Sequence, residues 1–211
     1  MTEWTRPGTT TLATLVACTA LFGALGPSCA RAEPVRYELD PEHLTVAFLV
    51  EHIGYANTLG FFRKASGSYA YDEATGEVSD VRVVVDTSSV YTAHEKRDEH
   101  LRGDDFLDVE RHPQMVFSAE RAQPVDSNRY RIEGELELLG RKAPVALEAT
   151  LNKAAEYPIG GGLLRGKPFV QGVSARGSFE RSAFGMDYAI ANGLVADQIE
   201  LIIEFEAKRQ D

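Results

Sequence analysis

The segment TAHEKRDEHLRGDDF at residues 92–106 concentrates side chains that could bind a metal or transfer protons. His94 and Asp98 are four residues apart and would share one face of a helix, a spacing that can hold zinc, with His100 or Glu95 as further ligands. Acidic and basic residues also alternate along the segment, which is typical of an exposed helix with ion pairs. His94 and His100 are six positions apart, which places their rings on different faces. We therefore predict no metal site and no catalytic residue in this segment.

A short structural helix is the simpler interpretation of the same residues. Thr92 and Glu95 have the spacing of a capping box, and Gly103 is a typical helix stop. The residues between them are good helix formers. The sequence thus predicts a helix at about residues 93–102.

This helix would close one end of the domain as a lid. Arg97 would lie on the side that faces the domain, where it could pair with a carboxylate such as Asp98 or Asp105. We expect an architectural network of Thr92, Arg97, Asp98, Leu101 and Phe106.

Nucleophilic catalysis finds little support in the sequence. The G-x-S-x-G elbow is absent, and the nearest approach, GVSARG at residues 172–177, has the wrong spacing. Both cysteines, Cys18 and Cys29, fall in an N-terminal stretch that we expect to be removed, which excludes thiol chemistry in the mature chain. His43 and His52 bracket the first predicted strand, where a histidine is usually packed or hydrogen-bonded. A metal-assisted hydrolase or an isomerase that uses His and Asp residues stays open as an alternative.

The first 32 residues have the layout of an export signal. An apolar run at residues 11–26 is followed by the small-x-small pattern of Ala30 and Ala32. We expect cleavage after Ala32, a periplasmic location, and one domain at residues 33–211. The net charge of −10 argues against nucleic acid as a partner and against stable insertion into an anionic membrane.

The remaining sequence alternates between apolar and polar residues with a period of two, the pattern of half-buried strands. The clearest case is YRIEGELEL at residues 130–138. About eight such strands occur, and turn signals at 72–77, 126–128 and 139–142 make neighbours antiparallel. Interior glycines predict bulges or kinks of the kind that bent strands need, at Gly60, Gly67, Gly172 and Gly177.

Eight antiparallel strands with one dry face predict an all-β, single eight-stranded barrel, with the short helix between the third and fourth strands. Such a barrel is either filled by side chains or holds one small ligand. Small and β-branched residues at inward positions favour a hollow interior, which would accept a slender apolar chain. The alternative is a barrel plugged by aromatic rings such as Phe48, Phe62, Phe117 and Phe179, working as an envelope stress or interaction module.

From Tyr37 to Ala207 the chain resembles the YceI-like proteins, which are lipocalin-like barrels. The resemblance is carried by LDPEHLTVAFLVEHIGYANTLGFF, DTSSVYTAHEKRDEHLRGDDFLDVERHPQMVF, GELELLGRKAPVAL and FERSAFGM, at residues 39–62, 86–117, 134–147 and 179–186. The positions that match the family pattern are His43, Phe48, His52, Gly60, Phe62, Thr92, Arg97, Asp98, Leu101, Phe106, Pro113, Phe117, Arg181 and Gly185.

The resemblance implies a periplasmic protein that binds a polyisoprenoid, either an isoprenoid quinone or a polyprenyl carrier, in an apolar pore and needs no other cofactor. A homodimer is compatible with it. Following the dry-face alternation, the pore-lining candidates are Val46, Phe48, Val50, Val83, Phe117, Ile132, Leu136 and Leu147. Candidates for contact with a ligand head group are His43, His52, Arg63, Lys64 and Arg181.

Overall fold

The computed structural model describes residues 1–4, 33–159 and 166–210. The chain divides into two compact units, Met1–Arg31 and Ala32–Asp211, and the β-structure lies in the second. The predicted export signal falls almost wholly outside the described residues, as does the central part of the glycine-rich loop at 157–168. The strand segments are β1 (Val35–His52), β2 (Ala56–Phe62), β3 (Ala65–Tyr71), β4 (Val78–Asp86), β5 (Val90–Tyr91), β6 (Gln114–Pro124), β7 (Arg129–Leu138), β8 (Arg141–Glu156), β9 (Phe169–Glu180) and β10 (Val195–Arg209).

Eight of these segments form a closed antiparallel barrel, as the sequence predicts. The order around the ring is β1, β3, β4, β6, β7, β8, β9 and β10, and β10 pairs with β1 to close it. The segments β2 and β3 follow one another along β1 and act as a single interrupted strand. In the same way β5 continues the direction of β4 and pairs with β2.

The period-two pattern determines which face of each strand is buried. Along β7 the buried Tyr130, Leu136 and Leu138 alternate with exposed Arg131 and Glu135. The exposed charges of this strand pair across the outer surface: Arg131 with Glu133 and Glu148, for example. The polar exterior and the apolar interior of the barrel therefore follow from side-chain alternation alone.

The helix α1 (Glu95–Arg102) crosses one end of the barrel between the third and fourth strands of the ring. Its bounds agree with the prediction, but the predicted capping box is wrong. The N-cap is His94, whose Nδ1 accepts a hydrogen bond from the backbone N–H of Arg97. Two short 3₁₀ turns, Thr87–Ser89 and Arg181–Phe184, are also found in the barrel unit. In the part of the chain that the structure describes, no helix has the length and hydropathy required to span a membrane.

A wide bulge interrupts the first strand. In the pairing of β1 with β10, Leu39 lies opposite Ala207 and Leu44 lies opposite Phe205, so four residues of β1 face a single residue of β10. Of the extra residues, 40–43, the last three are exposed, whereas Asp40 is buried. This bulge assembles a polar cluster that is described below.

Candidate functional site

The barrel encloses a slender apolar cavity of about 470 Å³. All eight residues that the alternation predicts as pore-lining do line it. They are Val46, Phe48, Val50, Val83, Phe117, Ile132, Leu136 and Leu147. The plugged alternative is wrong, because Phe48, Phe62, Phe117 and Phe179 lie around the cavity and leave it open. Their contact with a ligand stays a prediction.

Glycines explain how bulky side chains line the cavity without filling it. The ring of Phe48 lies over Gly60, its cross-strand partner, so closely that a Cβ on Gly60 would come within 2.3 Å of Phe48 Cζ. Phe117 covers Gly134 in the same way, with a corresponding distance of 2.4 Å. Each glycine therefore provides a recess in the wall where a ring lies flat.

Of the bulges or kinks predicted at four interior glycines, the strand register shows a bulge at one. At Gly67 and Gly177 a Cβ would lie 2.5 Å and 2.7 Å from backbone carbonyl oxygens of the neighbouring strands. Glycine at these positions therefore lets the two strands lie close together. Only Gly172 of the four lies opposite a bulge, at the register shift between Leu151 and Lys153 of β8.

Buried polar side chains close the end of the cavity far from α1. Tyr69 donates a hydrogen bond of 2.7 Å to Gln171 Oε1, and both residues are buried. Tyr69 also stacks on buried Tyr37, with ring centroids 5.5 Å apart. Burial raises the pKa of the Tyr69 hydroxyl well above its usual range, so it stays a protonated donor. Gln171 Nε2 has no hydrogen-bond partner among the described residues.

The opposite end, beside α1, is the mouth of the cavity. Exposed His52 and Tyr188 line the cavity here, together with Arg97 and His100 from α1. His100 Nε2 lies 2.9 Å from a carboxylate oxygen of Asp105. The cavity is thus apolar along its length, with polar and titratable groups at its opening.

The lid residues form the expected network, with one correction. Asp98 is buried and accepts hydrogen bonds from the backbone N–H and the hydroxyl of Thr92. Arg97 donates to the hydroxyl and carbonyl oxygens of Thr92. The expected ion pair of Arg97 with a carboxylate is not found within residues 33–159 and 166–210. Leu101 and Phe106 line the cavity beneath the helix.

Arg181 lines the cavity, but its side chain stabilises the fold and is not directed at a ligand. It is 1% exposed, and its guanidinium donates to the backbone carbonyls of Met186, Tyr188, Val195 and Ala196. Burial lowers the pKa of this guanidinium, and neighbouring carboxylates oppose that effect. Because its donors are directed at four carbonyls, Arg181 does not have the placement of a head-group ligand.

Three other head-group candidates lie away from the cavity. Arg63 is exposed and stacks over the ring of Tyr91 at 3.9 Å, and exposed Lys64 lies 3.7 Å from Asp86. His43 belongs to the bulge of β1. Of the five candidates, only His52 is an exposed residue at the mouth.

The bulge brings His43 next to Asp40 and Glu206, a group that the sequence analysis missed because Glu206 is remote in sequence. Their potential ligand atoms lie within 4.8 Å of one another. However, the ammonium group of Lys208 lies 2.8 Å from Asp40 and already supplies a cation. Burial alone would raise the pKa of Asp40, but hydrogen bonds from Lys208 and His43 lower it to about 2.

The residues first considered for metal binding have other roles. His94 caps α1, and Asp98 accepts from Thr92. Within the described ranges, the group of Asp40, His43 and Glu206 is the one set of three possible ligands that come together, and it lies outside the cavity. His94, His100 and Glu95 do not form such a set with Asp98.

Comparison with known proteins agrees with this architecture. Residues 37–207 match the family described as the YceI-like domain. The chain belongs to the YceI-like family. It is 32% identical over 197 residues to a UPF0312 protein of Pectobacterium atrosepticum, covering 93% of this chain and 97% of that one. A UPF0312 protein of Azotobacter vinelandii is also 32% identical, over 202 residues, with coverage of 95% and 98%.

Several solved structures have the same fold. The Campylobacter jejuni YCEI protein is 26% identical, with a TM-score of 0.67 over 76% of this chain and 90% of that chain. Burkholderia cenocepacia BcnA is 20% identical, with a TM-score of 0.66 over 80% and 98%. A domain of Saccharophagus degradans described as polyisoprenoid-binding is 12% identical, with a TM-score of 0.58 over 83% and 99%.

Proposed function

We propose that this YceI-like protein is a non-enzymatic binding protein that holds the tail of one polyisoprenoid, an isoprenoid quinone or a polyprenyl carrier, in its barrel. The export-signal pattern of residues 1–32 supports a periplasmic location, where the protein would transport, store or sequester the lipid. The family and the polyisoprenoid-binding domain of similar fold support this class of ligand.

The observation that carries the proposal is the length of the apolar cavity. Val195 and Phe205 line opposite ends of it on β10. At 3.4 Å per residue these positions are about 34 Å apart along the strand, which is about 26 Å along a barrel axis tilted by 40°. The hydrocarbon core of a bilayer is about 30 Å thick, so one acyl chain spans about half of it. The cavity suits a longer apolar chain than an ordinary acyl tail.

The polar groups determine the orientation that we expect for the ligand. The tail would run toward Tyr69 and Gln171, and the head group would stay at the mouth near His52, Arg97 and His100. Each buried methylene contributes about 0.8 kcal/mol, so the wall supplies affinity that grows with chain length. The few polar groups at the mouth then contribute orientation more than affinity.

Native mass spectrometry of the purified protein, followed by analysis of its organic extract, tests the proposal directly. We expect one bound polyisoprenoid per chain. The recovery of only short lipids, or of protein without any lipid after exposure to a long-chain polyprenol, would contradict it.

A matched pair of variants on β8 tests whether the lipid lies inside the barrel. Ala149 is buried and lines the cavity, and its neighbour Glu148 points outward. Ala149→Phe places a ring in the inner half of the cavity, so we expect it to select shorter chains or to lose the lipid. Glu148→Phe adds the same ring to the outer surface and should leave the bound lipid unchanged.

A further inference from the structure

Two segments beside the mouth contain no charged residue. They are residues 53–59, at the turn between β1 and β2, and residues 188–194, in the loop before β10. We call them together the uncharged lip. The backbone N–H of Ile53 donates to the carbonyl of Leu194 at 3.2 Å, so the two segments lie side by side. This is unusual in a chain in which 26% of residues are charged.

The uncharged lip exposes large apolar side chains to solvent. Tyr55 is 90% exposed and Leu59 is 56% exposed. Ile53, Tyr188 and Leu194 are each exposed by more than two fifths. Exposed apolar groups that are contiguous, in contrast to scattered ones, mark sites of contact with proteins or membranes.

The uncharged lip is continuous with the cavity. Thr58, Tyr188 and Leu194 belong both to the lip and to the wall of the cavity at its mouth. The opposite end of the barrel is different, because exposed Val125 is followed by the ion pair of Asp126 with Arg129. An apolar path from the surface into the cavity therefore exists at the lip.

We propose that the uncharged lip docks on the surface of an electrically neutral lipid bilayer and that the ligand passes between membrane and cavity there. This inference rests on the proposed function and extends it to the route of loading. Tyrosine is favoured at the membrane–water interface, where its ring is apolar and its hydroxyl is hydrated. Tyr55, at the tip of the turn, is placed to enter that interface first.

The charge of the protein predicts which kind of lipid bilayer it binds more strongly. The protein has a net charge of −10, which repels an anionic surface, and the lip has no cation to offset that repulsion. Docking should therefore be stronger on phosphatidylcholine vesicles than on phosphatidylglycerol vesicles at low ionic strength. Added salt should reduce this difference, because it screens the repulsion.

A tryptophan reporter tests the docking. The chain has one tryptophan, Trp4, which lies in the predicted export signal, so the mature chain from Glu33 provides a background without tryptophan fluorescence. In this background, Tyr55→Trp should shift its emission to shorter wavelength when phosphatidylcholine vesicles are added. Val125→Trp, in an exposed turn at the opposite end, is the control and should not shift.

A second experiment measures transfer. The variant Tyr55→Glu/Leu59→Glu places two charges on the lip at residues that do not line the cavity. We expect uptake of a polyprenol from phosphatidylcholine vesicles to slow by about tenfold or more, since burial of one large apolar side chain is worth about that factor. Uptake of the same polyprenol from detergent should reach the wild-type content.

The outcomes separate the docking from the function. Loss of binding from detergent and vesicles alike in the wild type would overturn the proposed function, and the docking with it. Normal binding without an emission shift, or with equal shifts at both reporter positions, would overturn the docking alone. An emission shift that follows protein concentration without lipid, with a dimer in sedimentation, would assign the lip to contact between two copies and would also overturn it.

Discussion

Substitution of one wall glycine should reduce the affinity for the lipid while the barrel still folds. In Gly60→Ala the new methyl group would lie 2.3 Å from Phe48 Cζ, whereas carbon atoms in contact are about 3.5 Å or more apart. The ring must therefore retreat by about 1.2 Å. Phe62, whose ring centroid is 5.8 Å away, occupies the space along the wall, so the ring moves into the cavity.

The expected effects on stability and on binding are different in size. Overpacking costs about 1–3 kcal/mol, and the lower backbone entropy of alanine in the unfolded chain offsets about 0.5–1 kcal/mol. We thus expect a loss of about 1 kcal/mol in the free energy of unfolding. Each ligand carbon that the ring displaces removes about 0.8 kcal/mol of binding free energy, so displacement of about four carbons would lower the affinity by more than about a hundredfold.

Urea unfolding and competition for a long-chain polyprenol measure the two effects separately. Gly172→Ala is the control, because nothing lies within 4 Å of its new Cβ. The double variant Phe48→Leu/Gly60→Ala removes the ring and should recover most of the affinity. The reasoning is refuted if Gly60→Ala binds like the wild type, or if Gly172→Ala loses as much affinity.

Three further predictions concern buried polar groups. Arg181→Met should cost about 3–5 kcal/mol of unfolding free energy, because four backbone carbonyls lose their donors; a loss below about 1 kcal/mol in urea would contradict that role. Tyr69→Phe should lower the free energy of unfolding by about 1–3 kcal/mol, because it removes the hydrogen bond to buried Gln171. The double variant Tyr69→Phe/Gln171→Leu should unfold with nearly the wild-type free energy and should still bind the polyprenol. Loss of the ligand from the double variant would indicate a head group at the closed end. In the folded protein the pKa of Asp40 is lowered to about 2 from 3.8. Asp40 therefore adds about 2 kcal/mol to the free energy of unfolding above pH 4, and this contribution disappears as the pH falls toward 2. The stability difference between wild type and Asp40→Asn should therefore vanish in acid, and a difference that persists at pH 2 would count against it.

The barrel could be predicted from the sequence because its main signal is local. The alternation in β7 specifies the inward Tyr130 and Leu136 without reference to any other strand. Eight such strands with one dry face leave few architectures. The residues chosen by the same alternation all lie on the cavity wall, and their contact with a ligand stays a prediction.

The predictions failed where a residue's role depends on partners distant in sequence. Nothing near Gly60 indicates that the ring of Phe48 covers it, because that requires the cross-strand register. The bulge that brings His43 to Glu206 is equally invisible, since it depends on the pairing of β1 with β10. Arg181 looks like a surface cation in the sequence, and only the fold of residues 186–196 gives it four carbonyl partners.

The buried tyrosines at the far end of the cavity limit the route by which a bound lipid would enter and leave. Tyr37 and Tyr69 are buried and stacked at that end, so a lipid tail held as we propose would enter and leave through the mouth alone. The barrel would then not conduct lipid from one membrane to another. A carrier of this kind would have to leave the membrane that loads it and turn before it unloads, so that loading and unloading are separate in time.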